Sequence, residues 1–436
     1  MRSYYLPLGL SALFLQPLFA IAQTPLPPPL SQMAAQTVEG ATAKAQGPLT
    51  LSFAIALALQ HNPDLRGAVR DVDITEGGIN QAGVRPNPEL SWLSEGVQSN
   101  NRTTTIVLDQ AFELGGKRPA RIAAAQRMRD VAIADLALRR TEVRALVVAA
   151  FFEALTAQQR LQLAEASQGL AQSVTDAAAR RVLAGKVSPL EETRAKIAQA
   201  GASIELRQAA SAVALSQQRL AAIWGSSAPQ WSRLVVPAQA LVVHASLPQL
   251  LSRLHTAPQM RRSRLEIAHQ QSQVDVELSR RIPDLTVSVG SKRDQQAGRT
   301  QAIFGVSLPL PLFNRNQGNV LSALRKTDKA RDELAAVETR LASELTQAWL
   351  RHQTARDELD ILQSTVLPAA KSAFDAASQG FAFGKFSFLD VLDAQRTLFQ
   401  SKSQYLNALA ASHRASVDIE RLVGVDPLTP SSRQDA

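Results

Sequence analysis

From Pro119 to Ala184 no further proline interrupts a stretch rich in Ala, Leu, Gln and Arg, residues that favour helix. At ~1.5 Å per residue a helix of that span would run ~100 Å, longer than any globular core. Val143, Val147, Ala150, Ala154, Ala157, Leu161 and Ala164 recur with alternating steps of four and three. That is the seam along which helices supercoil, and its alanines let neighbouring helices approach closely. A second such tract runs from Gly318 to Leu367 and is expected to continue past Pro368 to Phe383. After Gly185 and Gly384 a returning helix is predicted, ending near Trp224-Gly225 and Val423-Gly424, each Gly at the position of a helix-terminating cap. Two long antiparallel helical hairpins follow from this pattern.

The two hairpins belong to an internal repeat. One offset carries Pro63 onto Pro258, Arg85 onto Arg280, Pro88 onto Pro283 and Leu90 onto Leu285. An offset four residues longer carries Gly185-Lys186-Val187-Ser188 onto Gly384-Lys385-Phe386-Ser387, Leu190 onto Leu389, Glu191 onto Asp390 and Gly225 onto Gly424. The chain divides into a first repeat at 49–225, a connection at 226–246 and a second repeat at 247–424, with 425–436 as a disordered tail.

Ahead of each hairpin the hydrophobic period changes. Residues 64–84 and 259–281 are polar and helix-compatible, and each is closed by a helix-breaking proline step. Period two then takes over: Leu285, Val287 and Val289 alternate with Thr286, Ser288 and Gly290, and Ala302, Phe304, Val306 and Leu308 with Ile303, Gly305 and Ser307. In the first repeat, Leu90 and Trp92 share one face of 89–97, and Thr104, Ile106 and Leu108 one face of 103–111. Such runs suit tilted membrane-spanning strands; soluble hairpins packed on helices would give the same alternation. Four strands cannot close a barrel, so a membrane barrel would have to be shared among subunits.

The start of the chain says where this happens. Arg2, an apolar stretch from Leu6 to Ile21 and the Ala20-Ile21-Ala22 ending read as a signal peptide at 1–22. A Pro-rich extended leader at 23–48 follows. The formal charge of +9 would suit an anionic partner such as nucleic acid, but an exported chain makes nucleic acid an unsuitable one. No later apolar run is long enough for a spanning helix. The chain has no cysteine, which excludes disulfides, thiolate metal sites, cysteine nucleophiles and a lipidated N-terminal Cys.

Together these features resemble the TolC-type outer-membrane efflux channels. The most specific stretch is Phe381-Ala-Phe-Gly384-Lys-Phe-Ser387-Phe-Leu-Asp390-Val-Leu-Asp393-Ala-Gln-Arg396, similar to the family's second periplasmic turn. Arg181-Val-Leu-Ala-Gly185-Lys-Val-Ser188-Pro-Leu-Glu191 is a weaker first copy. Phe112-Glu-Leu-Gly-Gly-Lys-Arg118 and Leu308-Pro-Leu-Pro-Leu-Phe-Asn-Arg-Asn-Gln-Gly318 resemble the cobalt-zinc-cadmium resistance branch. The resemblance implies a mixed fold: a homotrimer whose coiled-coil hairpins form an α-barrel across the periplasm, and whose four strands per protomer build a shared twelve-stranded β-barrel in the outer membrane. It implies a passive conduit for heavy-metal cations, fed by an inner-membrane resistance-nodulation-division pump through a periplasmic adaptor. It also implies an acidic constriction at Asp390, Asp393 and Glu191, with Phe381 at a gate position where the family often has tyrosine. Adaptor docking is expected at the tips, Gly185, Lys186, Val187 and Ser188 with Gly384, Lys385, Phe386 and Ser387.

An enzyme would need a constellation that is missing. His61, His244, His255, His269, His352 and His413 never pair at helical ligand spacing, so neither a metal site nor a cofactor is expected. Lys117, Lys186 and Lys385 follow glycine but precede Arg118, Val187 and Phe386, where a phosphate loop needs Ser or Thr. Arg139-Arg140, Arg180-Arg181 and Arg261-Arg262 read as solvated helix faces. The lesser alternative is that Asp390 and Asp393 are two solvated acids in a first helical turn, favoured there by the helix dipole. A same-fold channel for organic drugs or type I protein secretion, and a periplasmic coiled-coil scaffold or adaptor, remain as alternatives; the scaffold has no use for four apolar-faced strands.

Overall fold

The computed structural model describes residues 47–96, 101–229, 231–235, 245–383 and 385–424. The expected signal peptide, nearly all of the expected leader, part of the connection, Gly384 and the expected tail lie outside these residues. Each repeat runs helix, hairpin, long helix, turn, returning helix. The first comprises α1 (Leu51–His61), α2 (Pro63–Ala82), β1 (Glu89–Glu95), β2 (Thr103–Phe112), α3 (Lys117–Leu183) and α4 (Pro189–Ala222). The second comprises α5 (Leu247–Arg253), α6 (Pro258–Ser279), β3 (Leu285–Asp294), β4 (Arg299–Ser307), α7 (Gln317–Ile361), α8 (Leu367–Ala382) and α9 (Phe388–Val423).

The 67-residue α3 is one uninterrupted helix. Its predicted seam is the buried one: Val143, Val147, Ala154, Ala157 and Ala164 are each at most 7% exposed. The second long helix continues past Pro368 to Ala382, as expected, but not as a regular α-helix throughout. Pro368 has no N–H to donate to the carbonyl four residues back, and the helix meets it with a wide π-type turn, Leu362–Val366, before resuming as α8.

Two matching apolar cores form where each repeat's opening helices, long helix and returning helix meet. Leu49, Leu65, Val147, Phe151 and Leu220 centre the first, and Leu250, Met260, Leu345, Ile419 and Leu422 the second. The repeat is visible in detail: Gly225 at the end of α4 sits against Pro63, and Gly424 at the end of α9 against Pro258. Asn62 caps α2 by accepting from Leu65 N (2.9 Å) and donates to the Ile223 carbonyl (2.7 Å), fastening the first turn of α2 to the end of α4.

The strands form one antiparallel sheet in the order β1-β2-β3-β4. Its register aligns the predicted apolar positions across all four strands: Leu90 with Leu108, Val289 and Phe304, and Trp92 with Ile106, Ser291 and Ala302. The opposite face carries Glu89, Asp109, Ser288 and Gly305 in one row and Leu93, Thr105, Lys292 and Gln301 in another. On the apolar face Leu90, Trp92, Phe304 and Val306 are all at least 68% exposed in the single chain. The second hairpin is longer than expected, β3 reaching Asp294 and β4 starting at Arg299, because pairing continues through Lys292-Arg293-Asp294, where apolar alternation stops.

The stretch Phe112-Glu-Leu-Gly-Gly-Lys-Arg118 is a clamp where strands pass into helices. Glu113 receives both guanidinium nitrogens of Arg121, and this bond holds its carboxyl below the usual carboxylate range. Lys117 Nζ reaches Asp284 of the second repeat at 2.6 Å, and Arg118 donates to the Gly83 carbonyl at 2.6 Å.

Between α3, α7 and α9, His413 stacks on Phe152 with ring centroids 3.6 Å apart. Burial, with nearby His352 adding to it, pushes its pKa down from 6.5 to about 4. Burial also lowers that of His352, which lies beside Arg356. The folded state therefore favours neutral imidazole, and the associated stability is complete above pH ~6.5 and declines as pH falls toward 4. Between pH 7 and pH 5 the wild type should lose on the order of 1 kcal/mol, discounted for partial exposure, and His413→Phe should lose clearly less. Thermal transitions followed by circular dichroism would check this, and equal losses in the two proteins would contradict it.

Candidate functional site

The residues singled out in the sequence gather at the far ends of the two helical hairpins. At the first tip the chain leaves α3 through a terminator in which Lys186 N donates to the Arg181 carbonyl (2.9 Å) and Gly185 N to that of Val182 (2.9 Å). Gly185 occupies the left-handed region at φ 66°, as this motif requires. Ser188 then caps α4, accepting from Leu190 N at 3.3 Å, and Pro189 opens the helix.

The second tip repeats the first. Lys385 N donates to the Gly380 carbonyl at 2.8 Å, the counterpart of the Lys186 bond. Gly384 lies outside the described residues. The Phe386 ring lies against Gly380, leaving no space there for a side chain. Ser387 and Asp390 form a reciprocal capping box: Asp390 N donates to Ser387 Oγ (3.3 Å), and Asp390 Oδ2 accepts from Ser387 N (2.8 Å). Such boxes satisfy two otherwise orphaned backbone donors.

Apolar exposure at the tips falls on different residues than expected. Phe386 is 51% exposed, whereas Val187 is half-buried, and Leu183 (88%) and Phe383 (78%) are the most open large apolar side chains there among the described residues. Both immediately precede or form the helix-ending turn, where packing against the partner helix has already ceased. Lys186, Lys385 and Ser387 are exposed.

Phe381 packs with Val174, Ala178, Ala195 and Leu392 in the seam between the hairpins. The Arg181 guanidinium stands 3.9 Å over its ring and donates to its backbone carbonyl at 3.2 Å. Arg181 is thus no solvated surface charge, as the paired-arginine reading had it; it ties the first hairpin to the second through a cation–π contact and a hydrogen bond.

Asp390 and Asp393 are both exposed and line a groove of about 1100 Å³ between α4 and α9, with Arg194, Ile197 and Arg396 also in its wall. The Asp390 carboxylate is engaged by Ser387. Asp393 uses only its backbone carbonyl, which accepts from Thr397 Oγ1 at 3.0 Å. Glu191 is half-buried in the first turn of α4. No group of three or more His, Cys, Asp or Glu side chains is arranged to hold a metal ion among the described residues.

An open two-faced sheet joined to helical hairpins of this length defines a channel-forming outer-membrane fold, and the chain belongs to the outer membrane efflux protein family, whose model matches residues 54–226 and 250–425. This is a family of export channels, not of enzymes. The chain is 45% identical to the cobalt-zinc-cadmium resistance protein CzcC of Cupriavidus metallidurans, over 97% of its own length and 100% of that protein. It is 28% identical to the nickel and cobalt resistance protein CnrC of the same organism, over 71% and 72% of the two chains. Among solved structures it is similar to CusC (TM-score 0.73, 19% identity, 86% of this chain and 92% of that one). It is also similar to VceC of Vibrio cholerae (TM-score 0.70, 20% identity, 86% and 96%).

Proposed function

We propose that this chain is the outer-membrane conduit of a three-component export system for divalent heavy-metal cations. Three copies close their sheets into one twelve-stranded barrel, the helical hairpins continue the path across the periplasm, and an inner-membrane pump supplies cargo through an adaptor held at the hairpin tips. The observation that carries this reading is the open sheet. Within the chain, β1 and β4 each have one unpaired edge, yet the sheet presents a continuous apolar face. In hydrocarbon an unpaired edge costs several kcal/mol for each unsatisfied backbone group, so the sheet needs further copies to close. Eight strands from two copies would enclose too narrow a bore to continue a helical tunnel, whereas twelve suffice. The cargo is supported by the extent of the likeness to a cobalt-zinc-cadmium resistance protein.

The purified protein is therefore expected to require detergent and to have the mass of a trimer. Light scattering in mild detergent checks this. A monomer, or folded protein recovered from the periplasm without detergent, overturns it.

A further inference from the structure

The apolar face of the sheet is not symmetrical from end to end. At the helix-proximal end its outward rows are Gln110, Val287 and Val306, then Phe112 and Leu285, without a charge. At the other end, where β1 meets β2 and β3 meets β4, the same face carries the row Ser94, Thr104, Arg293 and Thr300. Arg102 follows two residues before Thr104, so alternation places it on this face, beside Gln295, whose N–H donates to its carbonyl at 3.1 Å. Arg102 lies just ahead of β2 (Thr103–Phe112), and with the ladder carried one step further by the Gln295 bond it stands diagonal to Arg293 of β3, a spacing of about 7–8 Å at which like charges repel. Both are exposed, neither enters an ion pair among the described residues, and 96–102 and 295–299 contain no acid. The acids at this end, Glu95 and Asp294, lie on the opposite face in the row with Thr103 and Arg299.

Two guanidinium groups flanked by three hydroxyl side chains, directly above Trp92 and an apolar band, form a surface for a ligand that is apolar below and anionic above. Guanidinium binds phosphate through paired charge-assisted hydrogen bonds, and aromatic side chains mark the membrane–water boundary. From Leu285 to Arg293 the strand rises about 26 Å, or roughly 20 Å along the membrane normal at the tilt of such strands, so the long Arg293 side chain reaches toward the outer edge of a band of about 25 Å. We propose that Arg102 and Arg293, with Ser94, Thr104 and Thr300, dock the phosphate-bearing headgroups of glycolipids in the leaflet that faces away from the helices. The proposal rests on the outer-membrane reading given above.

The test is native mass spectrometry of the full-length protein in mild detergent, titrated with bisphosphorylated lipid A or with its dephosphorylated form. The wild type should retain the phosphorylated form at least about tenfold better, a difference that two lost charge-assisted contacts can supply. Arg102→Gln with Arg293→Gln should bring the ratio to about one, each single variant should lie between, and Lys292→Gln, at the same level on the opposite face, should leave it unchanged. Excess inorganic phosphate should not strip the glycolipid, because its acyl chains are held on the apolar face. A wild-type ratio near one, single variants both at the wild-type ratio, an equal loss in Lys292→Gln, or complete displacement by phosphate overturns the proposal. A protein that needs no detergent instead overturns the membrane reading, so the two failures are distinguishable.

Discussion

A chain carrying Leu183→Glu and Phe383→Glu is expected to reach the outer membrane as a normal trimer and yet lose metal resistance, with tolerated cation concentration falling more than about tenfold. Both side chains are largely open to solvent at the hairpin tips, so the substitutions remove little packing within the protomer. Exposed residues away from structural features usually change stability by less than ~0.5 kcal/mol, whereas apolar anchors at an interface contribute ~1–2 kcal/mol or more each. Three copies present six such anchors, and their combined loss would exceed what most docking contacts could tolerate. Gly185→Val tests the same surface through the backbone. At φ 66° a β-branched residue is strained, and the terminator formed by the Lys186 and Gly185 amides would unwind. It should impair resistance in the same direction. Growth in cobalt, zinc or cadmium, alongside immunoblots of unboiled membrane trimers, separates failed docking from failed assembly. Full resistance in the double variant with trimers intact would place the adaptor elsewhere.

What could be read from residue order follows the range of the interactions involved. Alternation in Leu90, Trp92, Val287, Val289, Phe304 and Val306 was legible because a strand's two faces differ at the next residue, and the observed register joins those positions into one face. The seam from Val143 to Ala164 was legible because a supercoil imposes its period on the sequence itself. The π turn before Pro368 was not, since a proline in a helix can be met by a kink, a break or a wide turn, and tertiary packing decides among them. At the tips, Ser387-x-x-Asp390 carries a recognisable capping pattern, but the same acid also suits a pore charge, and the local pattern does not choose between the two roles. Arg181 and Phe381 illustrate the other limit. Two hundred residues separate them, and nothing in the local sequence of either reveals that the cation of one repeat lies over the ring of the other. A separation of 167 residues likewise hid the clamp at Lys117 and Asp284, whose partners lie in different repeats.

The structure also changes what charge substitutions at Asp390 and Asp393 should do. Asp390 and Asp393 stand three residues apart in the first turns of α9, but only Asp393 has its carboxylate uncommitted to the backbone. The repeat relation that places Glu191 at Asp390 places Arg194 at Asp393, and Arg194 shares the groove with both acids. A trimer would then set three copies each of Asp390, Asp393 and Glu205 against three each of Arg194 and Arg396, leaving a net negative lining. Asp393→Asn should consequently lower cation preference and weaken block by trivalent cations, with no loss of helix capping. Asp390→Asn should act on both, because asparagine keeps much of an N-terminal hydrogen-bonding role but not the charge, and the helix should lose no more than about 1 kcal/mol. In the double variant the cation-to-anion permeability ratio in planar bilayers should fall toward one. The effect should be largest at low salt, since at 0.1 M the screening length is already only about 10 Å. Loss of selectivity in Asp390→Asn with none in Asp393→Asn would assign the pore-facing charge to the capping residue. A double variant matching the parent in selectivity and block would show that both carboxylates face away from the conduction path.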